Sequence, residues 1–333
     1  MTLLRAITGD RPTGGLHLGH FAGSLRARVA LQDTHSLIVL VADSQALTDN
    51  AGNPQKIAPF IPEVMKDYLA VGLDPAKVCF VLQSAVPELA ELSQLLLNLV
   101  SVSYLERNPT VRAEIVQRNF QRDIPAGFLC YPAAQAADII GLGSGVVPVG
   151  SDQLPMIEMA NTLVDRLNTH AGALAFGRCQ ALLSDTPRLP GVDGQGKMSK
   201  SLGNAIALDA SSCDIQEAVR SMYTDPLHLK VSDPGHVEGN VVFAYLDAFD
   251  PDKGEVAALK ARYKQGGLGD MVLKRRLVGI LEDTLAPIRE RRAALSGQTA
   301  DMLDLLREGT KRARVIAGVE LEKAYQAMQV LRL

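Results

Sequence analysis

Two pairs of side chains in this sequence have the type and spacing to handle phosphate. His17 and His20 stand three residues apart, just after the turn Pro12-Thr13-Gly14-Gly15. A helix start carries unpaired backbone N–H groups and the positive end of the helix dipole, so imidazoles placed there join a ready anion site. Gly19, between them, has no side chain, which lets a flat base or a ribose approach the helix backbone. An adenine nucleotide suits that arrangement. A metal at the two histidines would need further ligands, and no Cys or acidic cluster lies nearby in the chain. Far downstream, Lys197 and Lys200 sit in Lys197-Met198-Ser199-Lys200-Ser201, flanked by Gly194, Gly196 and Gly203. A loop of that composition can move and close, bringing positive charge to a pyrophosphate as it leaves. Together the two stretches predict two halves of one ATP site.

The elements that must position these residues follow from the apolar pattern. Residues Leu3 to Thr8 form a short apolar run that stops at Gly9, and a helical pattern begins near Leu18. That order reads as strand, phosphate-binding turn and helix. Leu37 to Ala42 is continuously apolar and ends at Asp43, as a buried parallel strand should. A third strand is expected at Val78 to Leu82, after a helix from about Lys56 to Val71. Strands alternating with helices predict a doubly wound parallel sheet.

Pro87 to Arg107 reads as one long amphipathic helix for the core or a dimer interface, with Leu89, Leu92, Leu95, Leu96 and Val100 near helical spacing. Asn108 to Asp123, with Arg112, Arg118 and Arg122, reads as a mobile or solvated connection. A helix near Ala133 to Leu142 and a strand Val146 to Val149 follow, and that strand runs into Gly150-Ser151-Asp152-Gln153. Polar residues just past a parallel strand lie at the sheet edge where ligands bind. Beyond Lys200 the pattern is helical, including Met271 to Arg292 and Met302 to Leu331, and predicts a separate helical region.

A length of 333 residues suits one large α/β domain with a smaller second one. Neither an export segment nor an apolar run of the ~20 residues needed to span a bilayer is present, so a cytoplasmic protein without membrane contact is expected. Cys79, Cys130, Cys179 and Cys213 stand singly, which suits reduced, structural thiols. A formal net charge of −3 implies that any RNA contact uses local basic patches.

His17-Leu18-Gly19-His20 matches the HIGH signature of class I aminoacyl-tRNA synthetases, and Lys197 to Ser201 matches their KMSKS signature. Over nearly its whole length the chain resembles the tryptophan and tyrosine subclass. Between the signatures, Tyr131-Pro132-Ala133-Ala134-Gln135-Ala136-Ala137-Asp138 and Val147 to Gln153 resemble that subclass's amino-acid pocket segments. The resemblance implies an α/β fold: a Rossmann-type, HUP-like doubly wound sheet with a C-terminal α-helical domain. It implies a catalytic domain at 1–190 with a connecting insertion and dimer interface near 85–130, a KMSKS loop at 191–204, and a helical anticodon-binding region at 205–333.

The implied reaction has two steps and no covalent enzyme intermediate. An amino-acid carboxylate attacks the α-phosphorus of ATP, pyrophosphate leaves, and the aminoacyl group passes to a ribose hydroxyl at the tRNA 3′ end. Such catalysis is positioning plus charge stabilisation, with Mg²⁺ carried on the ATP phosphates and no resident metal. By resemblance His17, His20, Lys197 and Lys200 are the catalytic set. Arg11, Pro12, Thr13, Gly19 and His20 match ATP-contacting positions. Gly150, Ser151 and Asp152 match ribose and adenine contacts, and Arg188 and Leu189 reach adenine through their backbone. Lys197, Met198, Ser199, Lys200 and Ser201 form the mobile loop. Arg112 aligns with a lysine position near the phosphates.

Within the subclass the residues favour tryptophan. Tyrosine-specific members carry a tyrosine where this chain has Ile7; Ile7, Val147 and Val149, with Gly9 beside them, suit an indole and leave a phenol oxygen poorly served. Asp138 is the expected acceptor for the indole N–H, which can only donate. Tyr131 and Gln153 match contacts to the substrate amino group. Gln135 and Gln45 depart from the methionine and histidine of many bacterial tryptophan enzymes.

The expected partners are L-tryptophan, ATP, tRNA(Trp) and a second copy in a homodimer. Lys274, Arg275, Arg276, Arg289, Arg291, Arg292, Lys311, Arg312 and Arg314 are candidates for tRNA phosphates. The alternatives are a tyrosine-specific enzyme, a nucleotidyltransferase of the same superfamily, and a non-charging RNA-binding or regulatory paralogue; the intact His17, His20, Lys197, Lys200, Asp138 and Asp152 argue against the last. The chain contains no tryptophan, which would let an enzyme that charges tryptophan be made when tryptophan is scarce.

Overall fold

The computed structural model describes residues 3–120, 123–183, 189–196, 198 and 202–331. Along the chain lie β1 (Arg5–Asp10), α1 (Leu18–His20), a π-helical turn Phe21–Leu25, α2 (Arg26–Leu31), β2 (Ser36–Val41), α3 (Asp43–Asn50) and α4 (Phe60–Ala70). Next come β3 (Cys79–Leu82), α5 (Pro87–Leu97), α6 (Val102–Arg107), α7 (Pro109–Arg118), α8 (Ala126–Gly141), β4 (Val146–Val149), α9 (Leu154–Ala171) and β5 (Gln180–Leu183). The helices α10 (Ser212–Ser221), α11 (Val241–Phe249), α12 (Lys253–Gln265), α13 (Asp270–Ala294) and α14 (Thr299–Ala327) complete the order.

The five strands make one parallel sheet in the order β3-β2-β1-β4-β5, with Ile7 opposite Ile38 and Gly9 opposite Leu40. Strand order reverses between β1 and β4, so the carboxyl ends of those two strands form a switch point of the doubly wound sheet. Ile7, Ile38, Leu40 and Val81 pack into a buried cluster with Val86, Leu89, Ala313 and Ala317. A second cluster joins Leu92 and Leu96 of α5, Ala133 to Ile140 of α8, Val147 of β4 and the inner face of α9. Among the described residues no helix is long and apolar enough to cross a membrane.

Contacts divide the chain into two compact units. The sheet unit comprises Met1–Gly14, Ala27–Ser184 and Gly297–Leu333; the helical unit comprises Gly15–Arg26 and Asp185–Ser296. This differs from a boundary that assigns all of 205–333 to one helical region. The last helix, α14, belongs with the sheet because Gly309 has no side chain: a Cβ there would sit 1.8 Å from the Phe80 carbonyl oxygen. Thr310 Oγ1 on the next residue accepts the Leu82 N–H at 3.0 Å.

Two local readings also change. The helix expected over Pro87 to Arg107 is broken: α5 ends at Leu97, and Ser101 Oγ accepts the Tyr104 N–H at 3.2 Å to start α6. The stretch expected as a mobile or solvated connection, Asn108 to Asp123, contains α7. Asn108 Oδ1 accepts the Thr110 N–H at 3.0 Å, and Pro109 occupies the first helical position, where a missing N–H costs nothing.

Candidate active site

In the helical unit the first histidine of the signature caps α1. His17 has extended backbone and its Nδ1 accepts the Gly19 N–H at 3.1 Å, while His20 Nδ1 accepts the His17 N–H at 3.2 Å. This reciprocal capping box satisfies two N–H groups of the helix start. It also places the proton of each neutral ring on Nε2, so that Nε2 is the donor atom of both imidazoles. The rings lie 3.9 Å apart between centroids.

The segment after the lysine-rich loop is tied directly to this signature. Leu18 donates its N–H to the Ile206 carbonyl at 2.9 Å and Leu208 donates to the Leu16 carbonyl at 3.1 Å, with His17 and Ala207 bridged antiparallel. Met198 is buried, and a Cβ built on Gly19 would stand 3.2 Å from its sulfur and 2.9 Å from the His17 ring. The bare backbone of Gly19 is therefore approached by His17 and Met198. At the loop base Asn204, buried, donates to both Asp193 carboxylate oxygens at 3.1 Å, and Leu189 is buried. Arg188, Lys197, Ser199, Lys200 and Ser201 lie outside the described residues.

In the sheet unit Arg11 and Thr13 are exposed and Pro12 is buried immediately after β1. At the end of β4, Gly150 precedes a 3₁₀ turn Ser151–Gln153, with Ser151 and Asp152 exposed and Gln153 Nε2 donating to Asp152 Oδ2 at 3.2 Å. Thr110 Oγ1 donates to the Asp152 carbonyl at 2.9 Å and Asn108 Nδ2 donates to the Pro155 carbonyl at 3.1 Å. These bonds fasten α7, which carries the exposed Arg112, to that turn.

The same unit contains a cavity of about 260 Å³, near the lower end of small-ligand pockets. Gly127, Cys130, Tyr131, Ala134 and Asp138 line it from one face of α8, as their helical spacing dictates. Gln45 of α3, Gln83 beyond β3 and Ala90 of α5 form other walls. Asp138 is buried, and burial raises its pKa to about 7 against the opposing hydrogen bond from Gln83. Gln83 Nε2 donates to Asp138 Oδ2 at 2.8 Å, and Gln83 Oε1 accepts the Gln45 N–H at 3.0 Å. One carboxylate oxygen is thereby fixed, and among the described residues no hydrogen bond to Oδ1 is found. A buried acceptor facing a mostly apolar cavity calls for a ligand hydrogen-bond donor.

Of the residues expected to hold substrate, Gln45, Tyr131 and Asp138 meet at this cavity. Ile7 lies behind it, in the cluster of the lining residues Val86 and Leu89, and Val147 lies in the α8–α9 cluster with Val149 packed against it. Gly9, Gln135 and Gln153 are not among the lining residues. Gln83 was not anticipated, although its position directly after a predicted parallel strand carries the same signal that drew attention to Gly150 to Gln153.

Several basic side chains considered for RNA are engaged within the helical unit. Lys274 donates to the Arg220 and Met222 carbonyls at 2.8 and 2.9 Å, and Arg276 pairs with Asp250 at 2.6 Å. Arg289 donates to the Ala210 carbonyl at 2.6 Å and Arg292 pairs with Asp209 at 3.3 Å. Arg275 is exposed. In the sheet unit Arg314 pairs with Glu88 at 2.8 Å and Lys311 with Glu308 at 2.6 Å.

Comparison with known proteins bears on what such a site does. The family profile of tRNA synthetases class I (W and Y) matches residues 2–286. A tryptophan–tRNA ligase of Clostridium longisporum is 50% identical over 328 residues, 97% of this chain and 96% of its own length. One from Streptococcus agalactiae is 49% identical over 341 residues, covering 98% of each chain. Among solved structures, the tryptophanyl-tRNA synthetase of Campylobacter jejuni complexed with ADP and tryptophan superposes with a TM-score of 0.80 at 27% identity, covering 98% of this chain and 100% of that one.

Proposed function

We propose, for a chain that belongs to the class I tRNA synthetases of the tryptophan and tyrosine group, that the Asp138 cavity receives the amino acid and that the histidine and lysine signatures act on ATP. The activity is that of a tryptophan–tRNA ligase: ATP and L-tryptophan give tryptophanyl-adenylate and pyrophosphate, and tryptophan is then transferred to the 3′ end of tRNA(Trp).

In this reading Asp138 accepts the indole N–H, Gln83 holds the carboxylate in place, and Tyr131 and Gln153 orient the substrate amino group. Tryptophan supplies a donor to the buried carboxylate without bringing an acceptor that needs a partner; the tyrosine hydroxyl could also donate, but its oxygen would be poorly served beside Ile7, Val147 and Val149. Ile7, Val147 and Val149 back the apolar side, with Gly9, Gln45 and Gln135 around it. The His17 and His20 Nε2–H groups and Arg11 meet the phosphates, and Gly150 to Asp152 with Leu189 and Arg188 hold the adenosine. Lys197 and Lys200 stabilise the charge that builds on leaving pyrophosphate. Mg²⁺ comes with the ATP phosphates, because it sheds its waters reluctantly and is bound largely through substrate oxygens. The reading includes a cytoplasmic homodimer whose contacts with tRNA come from exposed cations such as Arg275.

The observation that carries the reading is the buried Asp138 carboxylate, held through one oxygen by Gln83 and backed by apolar residues. Amino-acid-dependent ATP–pyrophosphate exchange tests it. Exchange is expected with tryptophan, and neither with tyrosine nor without amino acid; exchange with tyrosine alone would overturn the specificity, and none with either would overturn the activity.

A further inference from the structure

The sheet unit buries a charged side chain. Arg28 of α2 is only 2% exposed. Its Nη1 donates to Asp10 Oδ2 at 2.5 Å, its Nη2 donates to the Gly9 carbonyl at 3.5 Å, and its guanidinium stands over the Tyr68 ring, 5.8 Å from the centroid. Tyr68 of α4 is fully buried and donates its hydroxyl to the same Asp10 oxygen at 2.8 Å. Phe80 of β3 stacks on Tyr68 at 6.0 Å. Burial alone would lower the Arg28 pKa, and the Asp10 charge turns the net shift upward. The tyrosine hydroxyl is held protonated by burial and by the same carboxylate.

Such a network is a costly way to gain stability. Replacing a buried ion pair by apolar groups of similar volume is often neutral or stabilising, so what it adds is the geometry it enforces. Its position in the chain says which geometry. Asp10 ends β1 and is followed at once by Arg11-Pro12-Thr13, and Arg28 stands one residue after the sheet unit resumes at Ala27. The ion pair thus joins the two ends of the stretch that carries Arg11, His17 and His20. The Asp10 carbonyl also accepts the Ala42 N–H at 3.0 Å, which pins the same strand end to the neighbouring strand's exit.

We propose that Asp10, Arg28 and Tyr68 are positioning residues for ATP: they fix the departure and return of the nucleotide-binding stretch without touching the nucleotide. This rests on the assignment of Arg11 and His20 to ATP made above.

The test uses the full chain with Arg28→Met, Arg28→Lys, Tyr68→Phe and the double substitution Asp10→Asn with Arg28→Met. ATP–pyrophosphate exchange gives the kinetics toward ATP. Fluorescence of bound tryptophan, free of background because the chain contains none, gives amino-acid affinity, and thermal melting gives stability. Arg28→Met is expected to lower kcat/KM for ATP roughly 10- to 100-fold while tryptophan affinity stays within about twofold. Tyr68→Phe should lower it less, and Arg28→Lys should recover part of the loss.

In the double variant the melting temperature returns, because no unpaired charge is left buried, and the ATP kinetics do not. If Arg28→Met does not fold, the double variant carries the test. Recovery of ATP kinetics together with melting temperature would mark a purely structural role and overturn the proposal, as would unchanged kinetics in Arg28→Met. Arg11→Ala and His20→Ala separate the two levels. If both leave the KM for ATP unchanged, the nucleotide assignment falls and the proposal with it; if they raise it and the Arg28 variants do not, only the positioning proposal falls.

Discussion

The histidine-bearing segment of the helical unit and the cavity of the sheet unit are built from different materials. Around His17 the fastening is main chain: Leu18 to Ile206, Leu208 to Leu16, and backbone N–H groups capped by imidazoles. Around Asp138 it is side chain: the carboxylate and Gln83, whose Oε1 also takes the Gln45 backbone N–H, beside a wall rich in small residues on α8 and α5. The backbone N–H groups at the α1 start are already taken, by the imidazoles and by main-chain carbonyls, so in the proposed reading phosphate meets the ring Nε2–H donors, which can serve any amino-acid substrate. Discrimination needs side chains that leave a polar group unpaired when the wrong ligand enters. In the proposed reading one region supplies the chemistry and the other the choice.

The largest expected break falls on the main-chain region. Gly19→Ala forces a Cβ into the His17 ring and the Met198 sulfur, and should lower kcat/KM for ATP roughly 100-fold in pyrophosphate exchange, as displacements of about 1 Å can. Tryptophan affinity by fluorescence should hold; a loss of both would show that the regions are not separable.

The next effect concerns stability and pH. Asp138 takes up a proton at about 7 in the folded protein, against 3.8 for an unperturbed carboxyl. The folded state thus binds the proton more tightly, and the stability this brings is complete below about pH 4 and is lost as pH rises toward about 7. Asp138→Asn, neutral throughout, is expected to melt higher than the parent chain at pH 8 by on the order of 2 kcal/mol, with the gain shrinking steadily toward pH 5. A pH-independent difference in denaturation would contradict the buried-carboxylate assignment.

A smaller effect sharpens the side-chain region. Gln83→Met removes the bond that holds the carboxylate and lowers its pKa. The KM for tryptophan should rise roughly tenfold, and its acid limb should move to higher pH. An unchanged pH profile would reduce Gln83 to packing.

These differences also explain what could be read before the structure. Parallel strands such as Leu37 to Ala42 announce themselves as continuous apolar runs, because both faces are covered. The break after Leu97 was hidden, since the leucine spacing of α5 continues toward Val100 and only the Ser101 cap interrupts it. The α7 helix was hidden for the opposite reason: Val111 is its one buried residue, so it shows no apolar stripe, and the Asn108-Pro109 start was its sole signal. Where α14 packs depends on Gly309 meeting Phe80, a tertiary event with no local signature.

At the site, His17, Gly19 and His20 were legible because spacing on a helix start is a sequence property. The Gln83–Asp138 bond was not, because it joins residues 55 positions apart that only the sheet brings together.

Tryptophan affinity, read by fluorescence in Asp138→Ala and in His20→Ala, tests the division between the two regions most directly. The expected result is a roughly 100-fold loss in Asp138→Ala and a change within about twofold in His20→Ala. Full affinity in Asp138→Ala, or equal losses in both variants, would contradict the account.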